Sequence, residues 1–143
     1  MPQEISNTRA SITGFIAGFL AVPLFHQLAM GLFYILGIIP FAPFDMAATQ
    51  PLGIPVVLSA SFWGGVWGVV FAFTILRLRG ASYWAWNIIA GAVLLSVVAA
   101  FIVSPLKQMG IIWGWSFAIM AFALYVNAAW GLGLALFYRL FNR

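Results

Sequence analysis

"SITGFIAGFLAVPLFHQLAMGLFYILGII", Ser11 to Ile39, carries no formal charge from end to end. A helix on a soluble domain keeps a charged or polar face toward water. This stretch has no charged face, and it exceeds the roughly 20 apolar residues that a helix needs to cross hydrocarbon. Its reading decides the solvent, and the solvent decides the fold.

The rest of the chain follows the same pattern. Between Ser11 and Leu76 the sole formal charge is Asp45, and from Gly80 to Tyr138 it is Lys107. Of the 143 residues, 65% are hydrophobic and 6% charged, whereas a soluble domain carries about a quarter charged residues. An integral membrane protein is predicted. Four apolar segments, about 12–39, 55–76, 83–103 and 111–138, predict one membrane domain over 1–143, an all-α four-helix transmembrane bundle. Continuous apolar runs exclude barrel strands, which alternate, and helices satisfy their own backbone in lipid.

Six basic residues and a net charge of +4 suggest nucleic acid until they are placed. Spread singly or in one pair, they form no patch that tracks a phosphate backbone, so no nucleic-acid partner is expected. Cysteine is absent, which excludes disulfides and thiolate sites. "MPQEISNTRA" has one base and one acid, and the apolar run behind it passes the usual length of about 7–15 residues for a secretory signal.

The connections add detail. "RLRG" follows the second span as a basic turn, and Pro105 in "SPLKQ" sets an expected helix limit after the third. "PFAPFDMAATQPLGIP", Pro40 to Pro55, holds four prolines yet is itself apolar. It reads as an interfacial loop or as a segment that re-enters between helices, with Asp45 reaching inward only in the second case. Pro55 suits the first turn of the next helix.

With the N-terminus inside, Arg9, Arg77, Arg79, Arg139 and Arg143 fall on the cytoplasmic side and only Lys107 outside. That is a positive-inside pattern, and it predicts both termini in the cytoplasm. Tyr83, Trp84, Trp86 and Tyr138 then mark the inner interface, and Trp113 and Trp115 the outer one. Size and composition resemble those of small four-helix proteins of bacterial inner membranes, which implies that location for a multi-pass chain.

"FWGGVWGVVFAFTILR" and "YVNAAWGLGLALFYR" echo each other. Trp67-Gly68 and Trp130-Gly131 are each followed by an alanine, Ala72 or Ala135, and an exiting arginine. The echo reads either as a duplicated hairpin, repeated in parallel about an axis along the membrane normal, or as convergent small-residue packing. Lipid supplies no hydrophobic force between helices, so close backbone approach must hold them. The expected ridges are Ala10, Gly14 and Gly18 on the first helix, Ala60, Gly64, Gly68 and Ala72 with Gly65 on the second, and Ala123, Asn127, Gly131 and Ala135 on the fourth. A ridge facing outward would serve self-association or another membrane protein.

His26, the one histidine, stands mid-span with Gln27 beside it. The expectation is that these side chains point about 100° apart around the helix. Pro23 cannot donate to the carbonyl of Phe19, which predicts a kink over residues 19–23 and an exposed carbonyl. Pro23, His26 and Gln27, with Asn127 at similar depth, are the candidates for a substrate or proton pathway; Asn87 is expected near the inner interface, satisfied by water. The plainer reading is that His26 bonds across the bundle to Asn127, Tyr125 or Ser61 and fixes packing. A metal would want a second histidine, a cysteine or an acid at depth. No cofactor is predicted, although haem shared across an oligomer would need only one imidazole per chain. No hydrolase, phosphate-loop or nicotinamide motif is present, so an enzyme is not expected. A small channel or transporter acting as a homo-oligomer leads, with an accessory subunit of a larger membrane complex as its rival.

Overall fold

The computed structural model describes residues 6–143, and its order comes from four helices. They are α1, Asn7–Ile35; α2, Val56–Ala72; α3, Gly80–Leu106; and α4, Phe117–Phe141. Helices α1, α3 and α4 are long and apolar enough to cross a membrane. At 17 residues α2 is shorter, about 26 Å of rise against about 30 Å of hydrocarbon.

Each predicted span shifts at its ends for a local reason. Helix α1 starts earlier than residue 12 because the Ser6 hydroxyl accepts the Arg9 N–H at 3.2 Å, a side-chain cap. It stops at Ile35, short of the expected Ile39. Gly37 takes φ +70°, its N–H donates to Tyr34 and that of Ile38 to Phe33, which closes the ladder in a Schellman motif. Hydropathy is blind to that stop, because apolar residues continue past it.

Helix α2 follows Pro55, which precedes the first turn rather than joining it. The loop caps this end with its own backbone: Val56 donates to the Ala47 carbonyl and Val57 to that of Asp45. The expected extension to Leu76 is broken after Ala72, and the chain turns through a separate 3₁₀ turn, Ile75–Arg77.

Pro105 does not limit α3, which runs through it to Leu106. The preceding turn, Ala99–Val103, is wound in the wider π manner, with the Ser104 N–H donating to the Ala99 carbonyl, and the wider turn gives the proline ring room inside the helix. The segment expected to open the fourth span is instead a left-handed turn, Ile112–Trp115, with Trp113 at φ 47° and Gly114 at φ 68°. Ser104 holds it, donating its hydroxyl to the Gly110 carbonyl at 2.6 Å and accepting the Trp113 N–H at 3.2 Å. Helix α4 starts after Ser116, whose side chain accepts from Ile119.

Helix α1 packs on both α2 and α4, and α3 packs on α4. The adjacency is a row, α2–α1–α4–α3, with α2 also reaching α4 where Phe71 meets the Trp130 ring edge-on at 5.4 Å. All five arginines lie at one end of the bundle, where the helix termini Asn7, Ala72, Gly80 and Phe141 meet. Arg9 donates to the Phe141 carbonyl there, and Asn142 reaches Thr13. Lys107 and Asp45 lie in the connections at the other end.

Candidate functional site

The two hairpins close on glycine. Gly14 and Gly18 of α1 meet Gly68 and Gly64 of α2 so tightly that a Cβ on Gly14 would lie 2.7 Å from the Gly68 carbonyl oxygen, and one on Gly18 would strike that of Gly64. Gly65, beside the ridge, takes the ring of Phe15. In the second hairpin Gly131 of α4 lies against the Asn87 carbonyl, and Gly91 of α3 against Asn127 and Gly131. These ridges are spent inside the chain. Ala10, Ala72, Ala123 and Ala135 are buried with them, and Ala60 packs at the margin of the core.

Pro23 acts one residue away from where the sequence suggests. Its turn, Val22–His26, is π-wound. The Phe19 carbonyl expected to be free accepts instead from Val22. Val22 would otherwise donate four residues back, to Gly18, so the freed carbonyl belongs to Gly18. The Trp130 indole N–H fills it from α4 at 3.0 Å. Trp130 is only 1% exposed, and an unpaired indole N–H at that depth would be costly. In the sequence Trp130 shows only as half of the Trp-Gly echo, and nothing there signals this bond to Gly18.

Gln27 is the buried member of the polar pair, 6% exposed, while His26 is half-buried. The Gln27 Oε1 accepts the Phe44 N–H at 2.7 Å, and its Nε2 lies 3.4 Å from His26 Nδ1. The expected divergence of the two side chains is therefore corrected: the flexible amide bends back along the helix to meet the ring. The pattern also orders the protons. A main-chain N–H requires an oxygen, so the amide presents its NH₂ to the imidazole. That arrangement suits Nδ1 as the acceptor.

This bond also determines the path of the loop. Phe44 lies level with Gln27, two turns before α1 ends, and Pro43 sits where a Cβ on Gly31 would meet it at 3.4 Å. The loop folds back along α1 instead of spreading over its tip. Phe44 pays for the return with φ 58°, a strained value for a bulky residue. Phe41 continues it to Phe122 of α4 at 5.8 Å, beside an apolar cavity of about 420 Å³ lined by Phe33, Ile38 and Ile119 among others. Asp45 does not reach the pair, because its carboxylate accepts the Ala47 N–H at 2.8 Å.

The other expected partners of His26 are engaged elsewhere. Asn127 donates to the Ser96 hydroxyl of α3 at 2.9 Å, Ser61 donates to the Val57 carbonyl, and the Tyr125 ring lies tilted against Phe33 with centroids 4.4 Å apart. Asn127 thus joins α3 to α4 and not to the histidine. Asn87 is corrected more strongly. It is wholly buried, donating to the Tyr83 carbonyl at 2.7 Å, and its Oδ1 has no partner. Among the described residues no three His, Cys, Asp or Glu side chains come together.

The class of protein follows from these facts. It is an all-α, multi-pass membrane protein with a glycine-packed helical core in which most buried polar side chains, though not the Asn87 Oδ1, are paired. None of the family models, curated sequences or solved structures compared with the chain matches it.

Proposed function

We propose that this is a four-span protein of a bacterial inner membrane, with both termini cytoplasmic, that works as a homo-oligomeric channel or transporter for a small solute or ion. The observation that carries the reading is the Gln27 latch. One end of a buried amide holds the returning loop by a single main-chain hydrogen bond, and the other end faces His26. Polar groups inside an apolar helix, at a turn opened by proline, are the usual material of transport sites in lipid. Freeing Phe44 would uncover that pair toward the outer side.

Several features support the finer parts of this reading. Five arginines at one end of the bundle favour that end as cytoplasmic. Helix α2, 17 residues long, falls short of a full crossing by only about one turn. The like contacts of Gly68 with Gly14 and of Gly131 with Asn87 favour a parallel duplication of one hairpin. No acid–base or nucleophile set accompanies His26, so the reading is non-enzymatic.

A second reading, an accessory subunit of a larger complex, is favoured by α3. That helix rests on α4 and presents Val93, Val97 and Phe101 outward. Flux in reconstituted vesicles separates the two. Under the transport reading wild-type protein carries potassium or protons, and His26→Ala and Gln27→Leu change the rate while folding normally. Vesicles that stay tight with wild-type protein, together with stoichiometric capture of one unrelated membrane protein in mild detergent, would transfer the assignment to the accessory role.

A further inference from the structure

Arg79, Arg139 and Arg143 line a cavity of about 370 Å³ between the first turn of α3 and the last turn of α4, with Tyr83, Tyr138 and Asn142 in its walls. That volume is in the range of small-molecule sites, about 300–1,000 Å³. The walls are fixed across three helices. Tyr83 donates its hydroxyl to the Ala135 carbonyl at 2.6 Å, joining α3 to α4, and Asn142 donates to the Tyr138 carbonyl and to Thr13 of α1. Arg139 stands over the Trp84 ring at 5.7 Å, which orients its guanidinium.

The remaining two arginines of this end are used otherwise. Arg9 bonds the Phe141 carbonyl, and Arg77 lies over Phe73 at 5.4 Å. The one acidic side chain among the described residues, Asp45, is at the far end. Three arginines therefore line one cavity, and among the described residues no acidic side chain lies in its walls; the one carboxylate beside them is the α-carboxylate of Arg143. Gly80 opens the same cavity, and the first turn of α3 has no side-chain cap over its N–H groups, which adds donors for an anion.

We infer that this cavity binds a phosphate-bearing anion, the chemistry that planar guanidinium forks and main-chain N–H groups share a preference for. Two sources carry it: the headgroup of an anionic phospholipid in the adjoining leaflet, and free phosphate from the aqueous side. The inference rests on residence in a membrane and is independent of transport.

Native mass spectrometry of the full chain, released from vesicles of equal phosphatidylglycerol and phosphatidylcholine, reads the bound lipid directly. Retention of phosphatidylglycerol over phosphatidylcholine is expected, with a loss of about fivefold per arginine removed from the cavity. Arg143→Gln, outside helix α4, tests this without touching a helix, and the triple Arg79→Gln, Arg139→Gln, Arg143→Gln variant should lose retention about a hundredfold. The double variant Arg9→Gln, Arg77→Gln removes charge from the same end and should retain lipid. In a second arm, inorganic phosphate is titrated onto lipid-free protein in neutral detergent. Saturable binding there, weakened about fivefold in Arg143→Gln, with no lipid preference in the first arm, assigns the site to free phosphate. Neither lipid preference nor phosphate binding, or an equal loss in the Arg9, Arg77 control, overturns the inference.

Discussion

The α1–α2 and α3–α4 seams solve one problem with different residues. In the first, two glycines on each helix press backbone onto backbone, Gly14 and Gly18 against Gly68 and Gly64. In the second, Gly91 and Gly131 make the equivalent approach, but Asn87 and Asn127 stand where the first seam has glycines. Asn127 converts its place into a hydrogen bond with Ser96, and Asn87 bonds within its own helix. Both seams lack any hydrophobic drive, since lipid is as apolar as the helices. The comparison separates two ways of holding helices in lipid: closeness alone, and closeness supplemented by amides.

The largest effect should come from filling the glycine-only seam. Gly18→Leu drives a side chain into the Gly64 carbonyl, whereas Val70→Leu enlarges a half-exposed side chain. Overpacking of this kind costs about 1–3 kcal/mol, and more where backbone meets backbone. Melting in detergent should show a large loss for Gly18→Leu and little change for Val70→Leu. Equal curves would mean that the first seam opens freely.

A smaller effect tests what joins the two hairpins. Trp130→Phe keeps an aromatic ring against Phe71 but removes the N–H from the Gly18 carbonyl. A buried acceptor left without its donor costs about 1–3 kcal/mol. The penalty should vanish when Pro23→Ala is added, because Val22 can then return to its ordinary partner. A double-mutant cycle on the melting temperature reads that coupling, and strict additivity would refute the chain of shifted bonds.

Asn127→Ala should cost least. Interhelical polar contacts in membranes average about 0.6 kcal/mol, because the separated helices also find partners. A loss larger than that of Gly18→Leu would reverse the comparison and make the amide, not the close approach, the main tie of the second hairpin.

The helical class and the small-residue ridges were legible because each depends on residue type at helical spacing. Gly14, Gly18, Gly64 and Gly68 can be picked out by eye, and they do meet. The candidate site was legible only as a list. His26 and Gln27 were found as polar residues in an apolar run, but their mutual contact and the loop bond to Phe44 were not. A glutamine has enough rotatable bonds to reach a neighbour that helical geometry places around the cylinder, and position in sequence carries no information about rotamer. Asn87 was misplaced for a related reason: depth estimated from the nearest tryptophan ignores which face of the helix another helix covers.

By itself the sequence determined the solvent, the helical class and which surfaces are small enough to touch, because each of these follows from transfer energies and side-chain volume summed along the chain. Tertiary structure alone decided where helices end, which carbonyl Pro23 releases, who fills it, and which arginines share a cavity. Those outcomes turn on single hydrogen bonds between residues far apart in the chain, such as Trp130 to Gly18 and Tyr83 to Ala135. In lipid every such donor must find an acceptor within the protein, and only the packed arrangement of helices states which one it finds.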